Sequence, residues 1–247
     1  MKFKFGLSTI IALFFCFQAK AQDTTYVQAK PFQSLLGPKT AGLPGKGIIG
    51  AQLMVGASYD NIKPGISAIK GNDTTDAEIG PGGGVGLDVY VGKQLDKIFR
   101  FGLHAGFMLS SGIPEIKDVT IRFSRIVLMP VLSTGIKLNE ESYINIGMGA
   151  YASFGNSLYI KVPSDTIPAV KISYKPNLGL VSHLQYENMV GENFSIFGGL
   201  RFHWVNLDVN DILVGGRRAT LNAAGASVFN NINGGGVTLQ FGLNYFL

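Results

Sequence analysis

From Gly47 onward, apolar and polar positions alternate along the chain with a period of two, the pattern of strands whose two faces meet different surroundings. In Gly47–Tyr59, Ile49, Ala51, Leu53, Val55, Ala57 and Tyr59 share a face. In Gly83–Lys93, Val85, Leu87, Val89 and Val91 oppose Gly84, Gly86, Asp88, Tyr90 and Gly92. In Phe99–Ser110 the apolar row Phe99 to Leu109 opposes Arg100, Gly102, His104, Gly106 and Met108. Tyr143–Asn156, Asn177–Asn188 and Phe194–Leu207 repeat the scheme, with His183, Gln185, Glu187, Arg201 and His203 on the polar side. Thr120–Leu138 is less regular. Ile126, Leu128, Leu132, Ile136 and Leu138 share a face, but Ile121 and Phe123 have the other parity, which predicts a bulge near Ser124–Arg125. Pro130 removes a ladder donor within that segment, so it is expected to be locally irregular. The final segment, Val237–Leu247, sets Val237, Leu239, Phe241, Leu243, Tyr245 and Leu247 against Thr238, Gln240, Gly242 and Asn244.

These segments predict eight strands. The connections Gln94–Ile98, Asn139–Ser142 and Met189–Asn193 are short, whereas Asp60–Gly82, Ser111–Val119, Ser157–Pro176 and Asp208–Ile232 are long. The predicted fold is all-β: an eight-stranded antiparallel transmembrane β-barrel with short periplasmic turns and longer external loops. A strand with so apolar a face at the chain's end is expected to close the sheet against Gly47–Tyr59, because open edges are not tolerated in hydrocarbon. A soluble barrel alternates too, with its apolar face inside, but its outer face should be rich in lysine and glutamate. Here the polar face is mostly glycine, serine and asparagine with isolated charges, which suits a crowded bore. The aromatics give two expected girdles: Phe99, Tyr143, Tyr186, Phe194 and Tyr245 at the periplasmic end, and Tyr59, Phe107, Phe154 and Trp204 at the external end.

Composition agrees. The chain is 46% apolar and only 15% charged, with 33 glycines, where a soluble domain carries about a quarter charged residues. Residues 1–21 read as a signal peptide: Lys2 and Lys4, an apolar run from Phe5 to Phe17, and the small-x-small site Ala19-Lys20-Ala21. Residues 22–46, with Pro31, Pro38 and Pro44, read as a periplasmic lead-in, and residues 47–247 as the barrel. The single cysteine, Cys16, lies within the signal, so the mature chain is expected to have no thiol or disulfide chemistry. Loss of Lys2, Lys4 and Lys20 lowers the formal charge from +5 to +2, which argues for no nucleic-acid partner. The expected location is the cell outer membrane.

Candidate chemistry is sparse. A nucleophile needs a base within hydrogen-bond reach. The residues two after His104, His183 and His203 are Gly106, Gln185 and Val205, so no histidine–serine pair forms along a strand. The histidines lie on three separate strands without metal-ligand spacing. Gly82-Gly83-Gly84-Val85-Gly86 precedes a strand rather than the helix a phosphate loop needs. Arg217-Arg218 reads as a solvated pair that could touch lipopolysaccharide phosphates. No catalytic, cofactor-binding or metal-binding residue is expected, and no cofactor. Instead, Asp88 with His104, and Glu187, Gln185, Arg201 and His203 together, are expected to form a polar network plugging the bore.

The signal ending Ala19-Lys20-Ala21-Gln22, the glycine-rich alternating strands, Met129-Pro130-Val131-Leu132 and the ending Phe241-Gly-Leu-Asn-Tyr-Phe-Leu247 resemble the outer-membrane β-barrel domain proteins of Bacteroidetes. These are a PorT-like group, similar in architecture to OmpA and OmpX barrels. The resemblance implies an integral outer-membrane barrel. It also admits a component of type IX secretion machinery, although the Asn-Pro-Ala-Tyr signature of the larger PorP/SprF barrels is absent. The expected function is a non-catalytic structural or interaction barrel whose external loops contact partners. The alternatives are a narrow pore for small solutes and, below that, a lipid-modifying enzyme or secretion component. Expected partners are outer-membrane lipid and lipopolysaccharide, the barrel-assembly machinery during biogenesis, and an envelope or secretion-system protein.

Overall fold

Side chains alternating across a strand can bury one face in lipid and the other in a bore only if the sheet closes on itself. The chain does this in a computed structural model, which describes residues 45–247 apart from 71–72, 97–98, 114–115, 117, 164–165 and 221–222. The expected signal peptide and most of the lead-in lie outside the described residues. Eight strands form the barrel: β1 (Gly47–Ser58), β2 (Gly84–Gln94), β3 (Phe99–Ser111), β4 (Thr120–Lys137), β5 (Ser142–Lys161), β6 (Asn177–Met189), β7 (Phe194–Trp204) and β8 (Gly236–Phe246). Each pairs antiparallel with the next, and β8 returns to β1, from Ile48 opposite Phe246 to Ser58 opposite Gly236. The Leu247 amide donates to the Gly47 carbonyl at 2.9 Å, so the ladder runs to the last residue. Among the described residues no helix is long and apolar enough to cross a membrane; the strands make the crossing.

The outward rows are those read from the sequence. Leu53, Leu87, Leu103, Phe107, Met148, Leu180, Leu184 and Phe241 are all exposed around the barrel wall. On β4 the outward apolar row is Ile126, Leu128, Leu132 and Ile136, and Leu138 continues it just past the strand's end. It spans roughly 30 Å along the membrane normal for a tilted strand, enough for the hydrocarbon. Phe99, Tyr186, Phe194 and Tyr245 ring the periplasmic end, and Tyr59, Phe107, Phe154 and Trp204 the external end, all exposed. Tyr143 does not join its girdle. It is 1% exposed and faces inward, where it packs with Ile48, Met189 and Phe246. Its parity within Tyr143–Asn156 matches the inward residues Asn145 and Gly147, and parity decides.

The bulge lies one strand from its expected place. Ser124 pairs with Ser157 and Ile126 with Phe154, so Gly155 and Asn156 of β5 together face Arg125 of β4. Gly155 has φ of +59°, a conformation that glycine adopts without the steric cost of a Cβ. β4 itself keeps one parity throughout: Ile121, Phe123, Arg125, Val127 and Met129 are all inward and buried. The apparent mismatch at Ile121 and Phe123 therefore marks apolar side chains inside the barrel, not a change of face. Pro130 keeps its place opposite Leu103 on β3, while the pairing to β5 resumes only at Val131 opposite Gly149. A Cβ at Gly149 would collide with the Pro130 carbonyl, so this glycine is what lets β5 approach the proline.

The long connections are more structured than a loop reading expects. β5 continues to Lys161, and the connection after it contains the strand Val170–Tyr174, which pairs with Ser157–Ile160. The strand Val209–Val214 pairs with Val170–Tyr174 and, at its far end, with Arg217–Arg218. β7 ends at Trp204 rather than Leu207, and Asn206–Leu207 pairs instead with Ile232–Asn233. A hairpin, Ser67–Lys70 with Asp73–Asp76, and a short helix α1 (Ala223–Phe229) complete the external end.

Two outcomes check this architecture. Spin labels on single-cysteine variants at 200 and 202 should be accessible to a lipid-soluble relaxant, and those at 201 and 203 should not; the reverse pattern would invert the faces. Deleting Asn244–Leu247 removes the pairings of Ile48, Ile49 and Gly50. The truncated chain should lose the heat-modifiable gel shift of a closed barrel and fail to reach the outer membrane.

Candidate functional site

Eight strands leave a bore barely wider than the side chains that fill it. The inward residues fall into layers, and each layer draws on strands distant in sequence. At the periplasmic end Ile48, Tyr143, Met189 and Phe246 make an apolar floor, with Tyr90 packed against it. The Arg100 guanidinium lies 5.5 Å from the Phe246 ring centroid, so the floor also carries a cation–π contact.

Above the floor, Glu187 of β6 is fully buried and accepts from four strands. Arg100 Nη1 donates at 2.6 Å, Asn145 Nδ2 at 2.6 Å, Ser195 Oγ at 2.5 Å and Asn244 Nδ2 at 2.8 Å. Arg100 is held in turn by Gln94 Oε1, 2.8 Å from its Nε. A buried carboxylate is tolerated when an opposite charge and hydrogen bonds replace its hydration, and here both do.

The middle layer centres on Asp88 of β2. Arg201 Nη1 donates to its Oδ2 at 2.8 Å, and His104 Nδ1 lies 3.0 Å from its Oδ1. The strand register sets Asp88 opposite Gly106 and Tyr90 opposite His104, so the aspartate and histidine meet on a diagonal. Tyr90 packs on the His104 ring at 4.5 Å between centroids. His183 reaches the same region, 6.3 Å from the His104 ring, but neither of its ring nitrogens has a hydrogen-bond partner among the described residues.

The upper layer centres on Arg125 of β4, buried at the external mouth of the bore. Its Nη1 donates to the Gly234 carbonyl at 2.8 Å and its Nη2 to the Gly82 carbonyl at 3.2 Å. His203 Nε2 lies 2.9 Å from Nη2, and the Tyr151 ring centroid 5.6 Å from the guanidinium carbon. Tyr151 and His203 stack at 4.9 Å with 10° between their planes. Among the described residues Arg125 has no carboxylate partner; carbonyl dipoles and an aromatic face carry its charge instead. Above it the bore turns apolar again. Ile121, Phe123, Leu158, Ile160, Ile172 and Tyr174 pack with Leu207 and Ile212 into a roof shared by the barrel and its external strands.

The polar plug read from the sequence is thus present, with different partnerships. Asp88 and His104 do meet, and Arg201 joins them rather than Glu187. His203 belongs to the Arg125 layer. The expected network omits Arg100 and Arg125. Inward parity on β3 marks Arg100, whereas the apparent parity break at Ser124–Arg125 obscures Arg125. The bore retains a cavity of about 20 Å³ beside Arg100, His104, His183 and Asn145, room for about one water. Among the described residues no group of three or more histidine, cysteine or carboxylate side chains is placed to hold a metal ion.

Outside the membrane, the connection between β1 and β2 carries Lys63 Nζ 2.9 Å from Glu78 Oε1, and Asn61 Nδ2 donates to Glu78 Oε2 at 3.0 Å. The hydrogen bond from Lys63 is the main cause holding the Glu78 carboxyl below its usual range, with Asn61 next. On the opposite side of the rim, Arg218 Nε lies 3.4 Å from Asp211 Oδ1.

No family model matches the chain, and no curated protein sequence does. Solved structures do. The chain is similar to the outer membrane protein OprG from Pseudomonas aeruginosa, at 14% identity and a TM-score of 0.51, over 85% of this chain and 98% of that one. It is also similar to Neisserial surface protein A, at 10% identity and a TM-score of 0.47, over 81% and 96% of the two chains. Ail, the attachment invasion locus protein of Yersinia pestis, matches at 10% identity and a TM-score of 0.41, over 83% and 100%. The likeness to OprG bears on the fold alone. Together with the lipid-facing band and the two aromatic girdles, it makes this chain an outer-membrane β-barrel.

The charge layers generate a double-mutant test. Asp88→Ala leaves Arg201 buried without its carboxylate and should destabilise the barrel by about 3–5 kcal/mol. Asp88→Ala combined with Arg201→Met removes both charges and should recover a large part of that loss. Urea unfolding of the barrel in lipid vesicles measures these two variants and Arg201→Met alone; a double-variant loss equal to the sum of the two single losses would show that the pair is not coupled.

Proposed function

We propose that this chain is a non-catalytic outer-membrane barrel with a sealed bore, and that its working surface is the ordered external end. The observation that carries this is the filling of the bore: an apolar floor, three charged layers and an apolar roof, with a cavity of about 20 Å³ beside Arg100, His104 and His183. A solute path would have to cross both the Glu187 layer and the Arg125 layer, whose members are bonded across the barrel. Inside, Glu187 and Asp88 are paired with Arg100 and Arg201, Arg125 is held by two backbone carbonyls, and all are turned away from lipid. Such an arrangement stabilises a fold and offers no substrate access. The external strands, by contrast, extend the barrel wall beyond the hydrocarbon as a rigid sheet built on a packed core.

Within outer-membrane barrels we place the chain with the PorT-like group of Bacteroidetes. Its glycine-rich alternating strands, Met129-Pro130-Val131-Leu132 and its terminal strand support that membership. Its partners on this reading are outer-membrane lipid and lipopolysaccharide, the assembly machinery that inserts it, and an envelope or secretion-system protein docking at the external strands.

Planar-bilayer recording of the purified, heat-modifiable barrel tests the sealed bore. The expected record shows no conductance steps above the unmodified bilayer, in either polarity. Reproducible steps would make the chain a narrow pore. A mass change in lipid A on expression in a host cell would make it a lipid-modifying enzyme.

A further inference from the structure

The outer face of the barrel wall changes character at the Gly155–Asn156 bulge. Below it, on β4 and β5, the outward residues are Ile126, Leu128, Ala152 and Phe154. Above it they are Arg122 and Ser124 on β4, then Ser157, Tyr159 and Lys161 on β5. The next strand continues outward with Lys171 and Ser173, and Lys175 is exposed at its foot. The inner face of this sheet, with Ile121, Leu158, Ile160 and Ile172, is buried in the roof, so the outer face is fixed in direction.

The cations are adjacent in space. Arg122 pairs with Tyr159, and Tyr159 with Lys171, so two cations flank one aromatic ring across three neighbouring strands. Strand spacing puts their Cα atoms about 10 Å apart. Lys161 stands two residues beyond Tyr159 on the same face. Among the described residues two acids border this face: Asp211, opposite Ser173, with Arg218 3.4 Å from it, and Asp208 at the foot of the sheet, whose carbonyl accepts from the Lys175 amide at 2.9 Å. Arg122, Lys161, Lys171 and Lys175 have no ion-pair partner among the described residues. The connection between β1 and β2 has the opposite character: it carries Asp60, Asp73, Asp76 and Glu78 against Lys63 and Lys70, with Glu78 paired to Lys63. The positive charge is therefore concentrated on one sector of the rim.

We propose that Arg122, Tyr159, Lys161 and Lys171 form a binding site for the phosphorylated headgroup of a glycolipid in the outer leaflet. The depth selects a lipid. Arg122 lies four residues above Ile126, the first outward apolar residue of β4, which is the height of a headgroup when acyl chains cover Ile126, Leu128 and Phe154. The chemistry selects phosphate. Arg122 offers a planar fork of donors, Lys161 and Lys171 offer point charges, and the Tyr159 ring offers a face for a sugar between them. This site is separate from the Arg217-Arg218 pair singled out by sequence, which sits on the far edge of the external sheet with Arg218 beside Asp211. It deepens the lipopolysaccharide partnership of the preceding reading, and it rests on the long-connection end of the barrel facing outward.

The test uses the full barrel in phosphatidylcholine nanodiscs carrying a few mole per cent of bisphosphorylated lipid A, or the same lipid A with both phosphates removed. Native mass spectrometry reads bound lipid A, and heat-modifiable mobility confirms that each variant is folded. The wild-type barrel and an Arg217→Gln/Arg218→Gln control should retain bisphosphorylated lipid A. The Arg122→Gln/Lys161→Gln/Lys171→Gln variant should bind it at least about tenfold more weakly, given the worth of each cation at an anionic surface. Wild type should bind the dephosphorylated lipid as weakly as the triple variant binds the intact one. If the triple variant does not fold, Lys161→Gln and Lys171→Gln, both exposed, serve singly with a proportionate loss. Undiminished binding by the folded variants, equal binding of the dephosphorylated lipid, or displacement of lipid A by millimolar inorganic phosphate would each overturn the site. A conducting bore would defeat the sealed-barrel reading and leave this site standing.

Discussion

Hydrocarbon offers no hydrogen bonds, and every backbone amide and carbonyl of a spanning strand must therefore find its partner in the next strand. Most of the structure follows from that requirement. It forces β8 back onto β1 and carries the ladder to the Leu247 amide and the Gly47 carbonyl. Closure then fixes which face of every strand meets lipid, because a slip of one residue would turn each leucine inward and each charge outward. It also explains why the departures from regular pairing are so local. At Pro130, which has no amide to give, the ladder to β5 lapses for two residues and resumes where Gly149 lets the backbones approach.

A closed wall of eight strands leaves an interior that must be filled. Filling it with charges is expensive unless each is paired. Glu187 meets that cost by collecting donors from β3, β5, β7 and β8, so a single carboxylate ties half the wall together. Asp88 does the same on a smaller scale for Arg201 and His104. Arg125 is different. Its charge is met by two glycine carbonyls from the connections that close the external mouth, so it joins those connections to the wall. The apolar floor and roof flank these layers at both ends, and a lower local polarity strengthens the electrostatics inside.

At the external end the same sheet changes task. The two residues of β5 facing Arg125 coincide with the level at which outward leucine, isoleucine and phenylalanine give way to arginine, lysine and serine. A bulge re-aims a strand and increases its twist, and here it accompanies the passage of the wall out of the hydrocarbon. Because the strands beyond it are backed by buried Ile160, Ile172 and Ile212, they present their polar face as a fixed surface rather than as loose loops.

The sequence by itself determined the number of strands, their order, their lipid-facing rows and the short and long ends of the barrel. A period of two imposed by two unlike surroundings is a local property, visible residue by residue. It placed Asp88, His104, Glu187, Arg201 and His203 in the bore for the same reason. It did not determine who pairs with whom there. The partners of Glu187 come from four strands spread from Arg100 to Asn244, and only the closed ring brings them within 3 Å. It misplaced Tyr143 and the bulge, because an apolar residue on an inward position looks like a change of face until the roof and floor it fills are known. The strands of the external connections were hidden for a related reason. Val170–Tyr174 and Val209–Val214 are too short to announce themselves, and they are strands because β5, continued past the hydrocarbon, offers them an edge. Periodicity reports the medium on each side of a strand; partnership depends on how the chain closes in space, and that was decided only by the tertiary structure.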